Sequence, residues 1–103
     1  MITPEGACLR DITAKQIVTL DLAGKRIGEL KPSIELPMHL AIYREYPSVK
    51  AIVHTHSPFA IIWSTLGKPL RSETVEGRIV LGEIPVVKYA EPGTVELAKI
   101  VCE

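Results

Sequence analysis

Aromatic side chains are scarce in this 103-residue chain, with one Phe, one Trp and three Tyr making up 5% of it. Any core must therefore be aliphatic, drawn from Ile, Val and Leu. Cysteine is scarcer still. Cys8 and Cys102 stand at opposite ends, in neither metal-ligand nor redox spacing, so the sequence argues for no disulfide and no thiolate site. An excess of one charge is also missing. Twelve basic and twelve acidic residues cancel, and no basic block stands out. Nucleic acid and anionic membrane surfaces need clustered positive charge, so neither is an expected partner. No apolar run approaches the ~20 residues that cross a bilayer. "MITPEG" lacks both the charged and the apolar region of a signal peptide. These absences point to a soluble, cytoplasmic protein. With no internal repeat, low-complexity tract or linker, one domain is expected over residues 1–103.

Apolar residues make up 47% of the chain, which suits a globular domain. Residues 17–22, "IVTLDL", followed by "AGK" and "RIGEL", predict a hairpin turning near Gly24. Leu36, Leu40 and Tyr43 then fall at helical spacing, as do Met38, Ala41 and Ile42, and Pro47 closes the segment. Pro37 has no N–H to donate and belongs in the first turn, which puts Glu35 at or just before the helix start. Residues 49–55, "VKAIVHT", predict a strand. Ser57-Pro58 opens a helix over roughly 58–66, with Gly67 as its C-cap. "GRIVLG" and "IPVVKYA" predict two further strands, and "GTVELAKIVCE" a last helix. The order implies an α/β protein whose sheet is flanked by helices and is mixed, not purely parallel.

Three histidines are present, and two of them form a pattern. On a strand, residues i and i+2 face one side, so His54 and His56 present two imidazoles to one place. Neutral imidazole is a good ligand for zinc and other late first-row ions. Spacing alone leaves open whether the pair binds metal or is a strand's polar edge. Glu35 and His39, four apart, share a helix face. Either can approach a metal. Equally, His39 can bond a backbone carbonyl, and Glu35 can sit as an anion favoured at a helix start. Ser33, beside that helix start, and Gly6, in the "TPEG" turn, suit anion binding or a plain cap and a plain turn.

Together, residues 31–60, "KPSIELPMHLAIYREYPSVKAIVHTHSPFA", resemble the signature region of the class II aldolase/adducin family. Its members read S-S-E, then a helix containing M-H-x-A-I-Y, then a strand ending in H-x-H-S-P. The likeness extends over "ITPEG", "IVTLDLAGKRIG", "GEIPVVKYAEPGT" and "ELA", in consistent order along essentially the whole chain. The resemblance implies a shortened three-layer α/β/α fold with a mixed, mostly antiparallel sheet. It also implies a zinc-dependent sugar-phosphate aldolase or epimerase, with Mn2+ or Co2+ as other candidate ions.

In that likeness His54 and His56 match two of the family's three metal-binding histidines. Glu35 matches the carboxylate that ligates the resting metal and acts as catalytic acid/base. Ser33 and Gly6 match positions that help to bind the substrate phosphate. The implied chemistry is retro-aldol cleavage of a ketose phosphate through a metal-stabilised enediolate, with the proton carried by Glu35. Active sites at subunit interfaces imply a homo-oligomer.

The departures are specific. Family members are longer, and the chain is expected to be truncated at both ends. It lacks a Gly-Asn-x-Ser phosphate loop at the start and, at the end, the Asn-His-Gly segment that carries the third histidine. Ile34 stands where a second serine is usual, and Glu5 where a small hydroxyl residue is common. The alternative reading is a non-catalytic, adducin-like binding or assembly domain, or one part of a split aldolase.

Overall fold

The computed structural model describes all 103 residues. They divide into two compact units, one formed by Met1–Ile52 with Tyr89–Glu103 and the other by Val53–Lys88.

The first unit is built on the expected hairpin. Strand β1 (Thr19–Leu20) pairs antiparallel with β2 (Arg26–Ile27), Thr19 opposite Ile27 and Leu20 opposite Arg26. The turn is tied by Asp21, whose Oδ1 accepts the Lys25 N–H at 2.8 Å and whose carbonyl accepts the Gly24 N–H at 3.0 Å. Gly24 has φ +88°, and a Cβ there would meet Leu40 Cδ1 at 3.2 Å, so only glycine lets the hairpin tip lie on the following helix. Two isolated antiparallel bridges, Ile2 with Val18 and Pro4 with Pro32, lace the N-terminal segment to this framework.

Helix α1 (Leu36–Glu45) starts as the sequence predicts, with Glu35 as N-cap and Pro37 in the first turn. Ser33 closes the end: its hydroxyl oxygen accepts the Glu35 N–H at 3.3 Å and its carbonyl the Leu36 N–H at 3.0 Å. The last helix of the chain, α4 (Val95–Cys102), is capped by Thr94, whose Oγ1 accepts the Leu97 N–H at 3.1 Å. The two helices pack together, and the Tyr46 hydroxyl at the end of α1 donates to the Cys102 carbonyl at 2.8 Å. Arg44 of α1 donates its Nε to the Leu22 carbonyl at 2.8 Å, joining helix to hairpin. The three buried apolar residues all lie in this unit: Val18 at 2% exposure, Ala98 at 5% and Met38 at 9%. They are aliphatic or thioether, as the shortage of aromatics requires.

The second unit contains helix α2 (Pro58–Ser64), with Ser57 at the N-cap and Pro58 at the first helical position. The helix was expected over 58–66. Its regular hydrogen bonding stops at Ser64, and a series of turns ends at Gly67, φ +62°. Strands β3 (Leu70–Arg71) and β4 (Glu83–Ile84) pair antiparallel around helix α3 (Val75–Val80), with Leu70 opposite Ile84 and Arg71 opposite Glu83. Arg71 and Glu83 form an exposed ion pair across the ladder.

Three strand expectations are corrected. "GRIVLG" lies largely in α3, because the Thr74 hydroxyl accepts the Gly77 N–H and Gly82, at φ +62°, follows the helix end. These boundary signals outweigh the β-branched content of the segment. Gly77 is also required by packing, since a Cβ there would fall 1.9 Å from the Ser72 hydroxyl. Residues 49–55 carry no ladder hydrogen bonds, because no segment of the chain pairs with them. Of "IPVVKYA", Ile84 alone is in a strand, and Pro85 has no N–H with which to extend the pairing. The α/β character and the antiparallel pairing agree with expectation. No helix is long and apolar enough to cross a membrane.

Candidate functional site

The candidate residues fall in both units. Glu35, Ser33 and Gly6 belong to the first, His54 and His56 to the second.

In the first unit, Ser33 sits where the N-terminal segment crosses the approach to α1. Its N–H donates to the Thr3 carbonyl at 2.9 Å, and the Glu5 N–H donates to the Lys31 carbonyl at 3.0 Å. Gly6 follows in an exposed turn with φ +68°, on the same hydrogen-bonded pair of segments as Ser33. The Ser33 hydroxyl oxygen accepts the Glu35 N–H and keeps its own proton, so it can still donate to an anion. Glu5 carries a negative charge into that turn, as expected from the sequence.

The Glu35 side chain is half-buried and turns toward the segment before α4. Its Oε2 accepts the Gly93 N–H at 3.4 Å, across 58 residues of sequence. Sequence reasoning missed this partner. The available signal was "EPGT", a turn ending in a helix cap, which announces local geometry but not its neighbour. His39 lines a pocket of about 210 Å3 with Tyr43, Leu20 and Met1. A larger cleft of about 560 Å3 runs between α1 and α4 and is lined mainly by Leu36, Leu40, Ala41, Val95 and Ala98. It contains none of the candidate residues.

In the same unit, the Tyr89 hydroxyl donates to Glu91 Oε1 at 2.9 Å. That hydrogen bond, and then the charge of the Glu91 carboxylate, push the Tyr89 pKa above its ordinary value.

In the second unit, His54 and His56 are exposed and their rings lie side by side, with centroids 5.1 Å apart and planes tilted by 44°. Two imidazoles bound to one tetrahedral ion at ~2.1 Å place their ring centres about 5 Å apart. The observed ring separation is of that size. No three or more His, Cys, Asp or Glu side chains meet as a complete cage. Cys8 and Cys102 are both free thiols.

Comparison with known proteins places these features. The sequence model of the class II aldolase and adducin N-terminal domain matches residues 1–103. The chain is 46% identical over 100 residues to an L-fuculose phosphate aldolase of Methanococcus vannielii, covering 97% of this chain and 55% of that protein. It is 36% identical over 107 residues to a 3-oxo-tetronate 4-phosphate decarboxylase of Pectobacterium atrosepticum, covering 96% and 48%. A solved L-fuculose 1-phosphate aldolase superimposes with a TM-score of 0.79 at 32% identity, over 94% of this chain and 46% of that one. The fold is thus a shortened form of the class II aldolase fold, and the chain spans about half the length of the relatives it matches.

Proposed function

Because this chain belongs to the class II aldolase and adducin family, we propose that it forms part of a divalent-metal-dependent sugar-phosphate aldolase. The observation that carries this reading is the His54–His56 ring pair, set at the separation that two ligands of one ion adopt. The names of the two relatives, one a fuculose phosphate aldolase and one a tetronate phosphate decarboxylase, favour a phosphorylated sugar as substrate. Aldol cleavage and decarboxylation of a 3-oxo acid each break the C–C bond on the far side of the carbon α to a carbonyl, and both need the resulting negative charge to be stabilised.

In this reading His54 and His56 would hold Zn2+, or Mn2+ or Co2+, and Glu35 keeps the acid/base role that the family likeness implies. The ion, when bound, supplies Lewis-acid polarisation of the substrate carbonyl and hydroxyl. Glu35 takes the hydroxyl proton as the C–C bond breaks and returns a proton to the carbanionic carbon. The Ser33 hydroxyl donates to a phosphate oxygen, and the Gly6 turn offers its backbone N–H to the same group. Ile34 supplies no second hydroxyl, and Glu5 repels the phosphate, so phosphate affinity is weak. The family match across residues 1–103 supports a single, partial domain. A phosphorylated substrate favours the cytoplasm, and the protein acts as a homo-oligomer.

A second reading is favoured by the surface of Val53–Lys88. Phe59 is 84% exposed and Ile79 79%, and Ile61, Ile62, Val75 and Val80 are exposed with them. Such a surface suits an adducin-like assembly or binding domain, or one part of a split aldolase.

Metal analysis of freshly purified protein tests the first reading. About one ion per chain, lost in both His54→Ala and His56→Ala, is the expected result. Protein that is free of metal without ever meeting a chelator would refute it. Retro-aldol assays on ketose phosphates with Glu35→Ala then separate catalysis from binding, since the variant keeps the histidines and loses the proton carrier.

A further inference from the structure

We propose that Gly93 is a positioning residue for Glu35, holding that carboxylate through its backbone N–H; the functional half of this inference rests on the aldolase reading. The Gly93 N–H donates to Glu35 Oε2 at 3.4 Å. A glutamate side chain has three rotatable bonds, and a fixed donor at its tip narrows the places the carboxylate occupies. Misplacing a catalytic group by about 1 Å costs large factors in rate.

The donor is aimed by a turn braced on its other side. The Thr94 N–H and hydroxyl both donate to the Glu91 carbonyl, at 3.4 and 2.7 Å. Thr94 Oγ1 then accepts the Leu97 N–H and starts α4. Pro92 fixes its own φ between the two anchors. Glycine is required at 93 on two counts. Its φ of +74° disfavours any L side chain, and a Cβ would lie 2.8 Å from the Ile34 carbonyl oxygen, the backbone immediately before Glu35. The close approach and the hydrogen bond are therefore one device: without a side chain, the turn comes near enough to residues 34–35 to reach the carboxylate.

Two arms on the full chain test this. In amide hydrogen exchange by NMR, Glu35→Ala is expected to speed exchange at Gly93 by about fivefold, the loss of one ordinary hydrogen bond, and to leave Leu97 unchanged. Equal Gly93 exchange with and without the Glu35 side chain would overturn the proposal. In the kinetic arm, Gly93→Ala is compared with Gly28→Ala. Gly28, at φ +98°, also lies where an L side chain is strained, but a Cβ there meets nothing within 4 Å. Gly93→Ala is expected to lower kcat roughly tenfold with KM little changed, whereas Gly28→Ala leaves kcat within about twofold. Equal kcat in the two variants would overturn the positioning role. If Gly93→Ala fails to fold, or the wild-type chain cleaves no ketose phosphate, the exchange arm alone decides whether Gly93 holds Glu35. Absence of wild-type cleavage counts against the aldolase reading and not against the contact.

Discussion

Replacing Val18 by Ala tests where this chain stores its stability. Val18 is the most buried residue described, at 2% exposure. Its N–H and carbonyl are bonded to Ile2, both at 2.9 Å, and those backbone bonds survive the substitution. The change therefore isolates two methyl groups. Their lost burial is worth about 0.8 kcal/mol each, and the cavity left behind raises the total to roughly 2–3 kcal/mol. With so few buried apolar side chains, the chain sits toward the low end of the ~5–15 kcal/mol range of native domains. A loss of this size is then a large fraction of the whole. Urea unfolding followed by circular dichroism reads it. For a chain of this length the denaturant slope is about 1 kcal/mol per molar, so the midpoint should fall by roughly 2 M. Val95→Ala is the control, the same chemistry on a residue that is 67% exposed in the same unit, and it should change stability by no more than about 0.5 kcal/mol. Equal midpoints for the two variants would refute the assignment of Val18 to the core.

Tyr46→Phe removes the donor to the Cys102 carbonyl and should cost roughly 0.5–1 kcal/mol in urea unfolding, because that bond is exposed. Thr94→Ala deletes the cap of α4 and should cost about 1 kcal/mol, whereas Thr94→Ser should retain most of it, again read by denaturation. Glu91→Gln should move the titration of Tyr89 down toward 10.0, followed by ultraviolet tyrosinate absorbance in a Tyr43→Phe, Tyr46→Phe background. The linked stability has a definite sign. A raised tyrosine pKa means that the folded state holds the proton more tightly, so the contribution is complete below the ordinary value. It is lost as pH rises through the raised one, and Glu91→Gln should flatten that alkaline loss.

The helices were legible in the sequence because their signals are local. Pro37 after Glu35, Ser57-Pro58, and Thr94 before an apolar run each specify a helix start from a few adjacent residues. The hairpin at Gly24 was legible for the same reason. The strands were less so. "GRIVLG" has a strand-like composition, yet Thr74 and Gly82 bracket it as a helix, and capping chemistry decided the outcome. The segment 49–55 alternates like a strand but finds no pairing partner, and pairing is a property of two segments at once. The Glu35–Gly93 bond failed for that reason too, since "EPGT" reveals a turn and nothing about the carboxylate it faces.

The histidine pair shows which part of a sequence argument survives when another part fails. Residues 49–55 pair with no other strand, yet the rings of His54 and His56 still lie side by side. The side-by-side placement needs only locally extended backbone between positions two apart, which hydrogen bonds to a neighbouring strand do not create. The apolar pattern behaves differently. Phe59, Ile61, Ile62, Val75, Ile79 and Val80 are apolar, and all are exposed. Periodicity records which faces the fold buries, not which polypeptide supplies the cover.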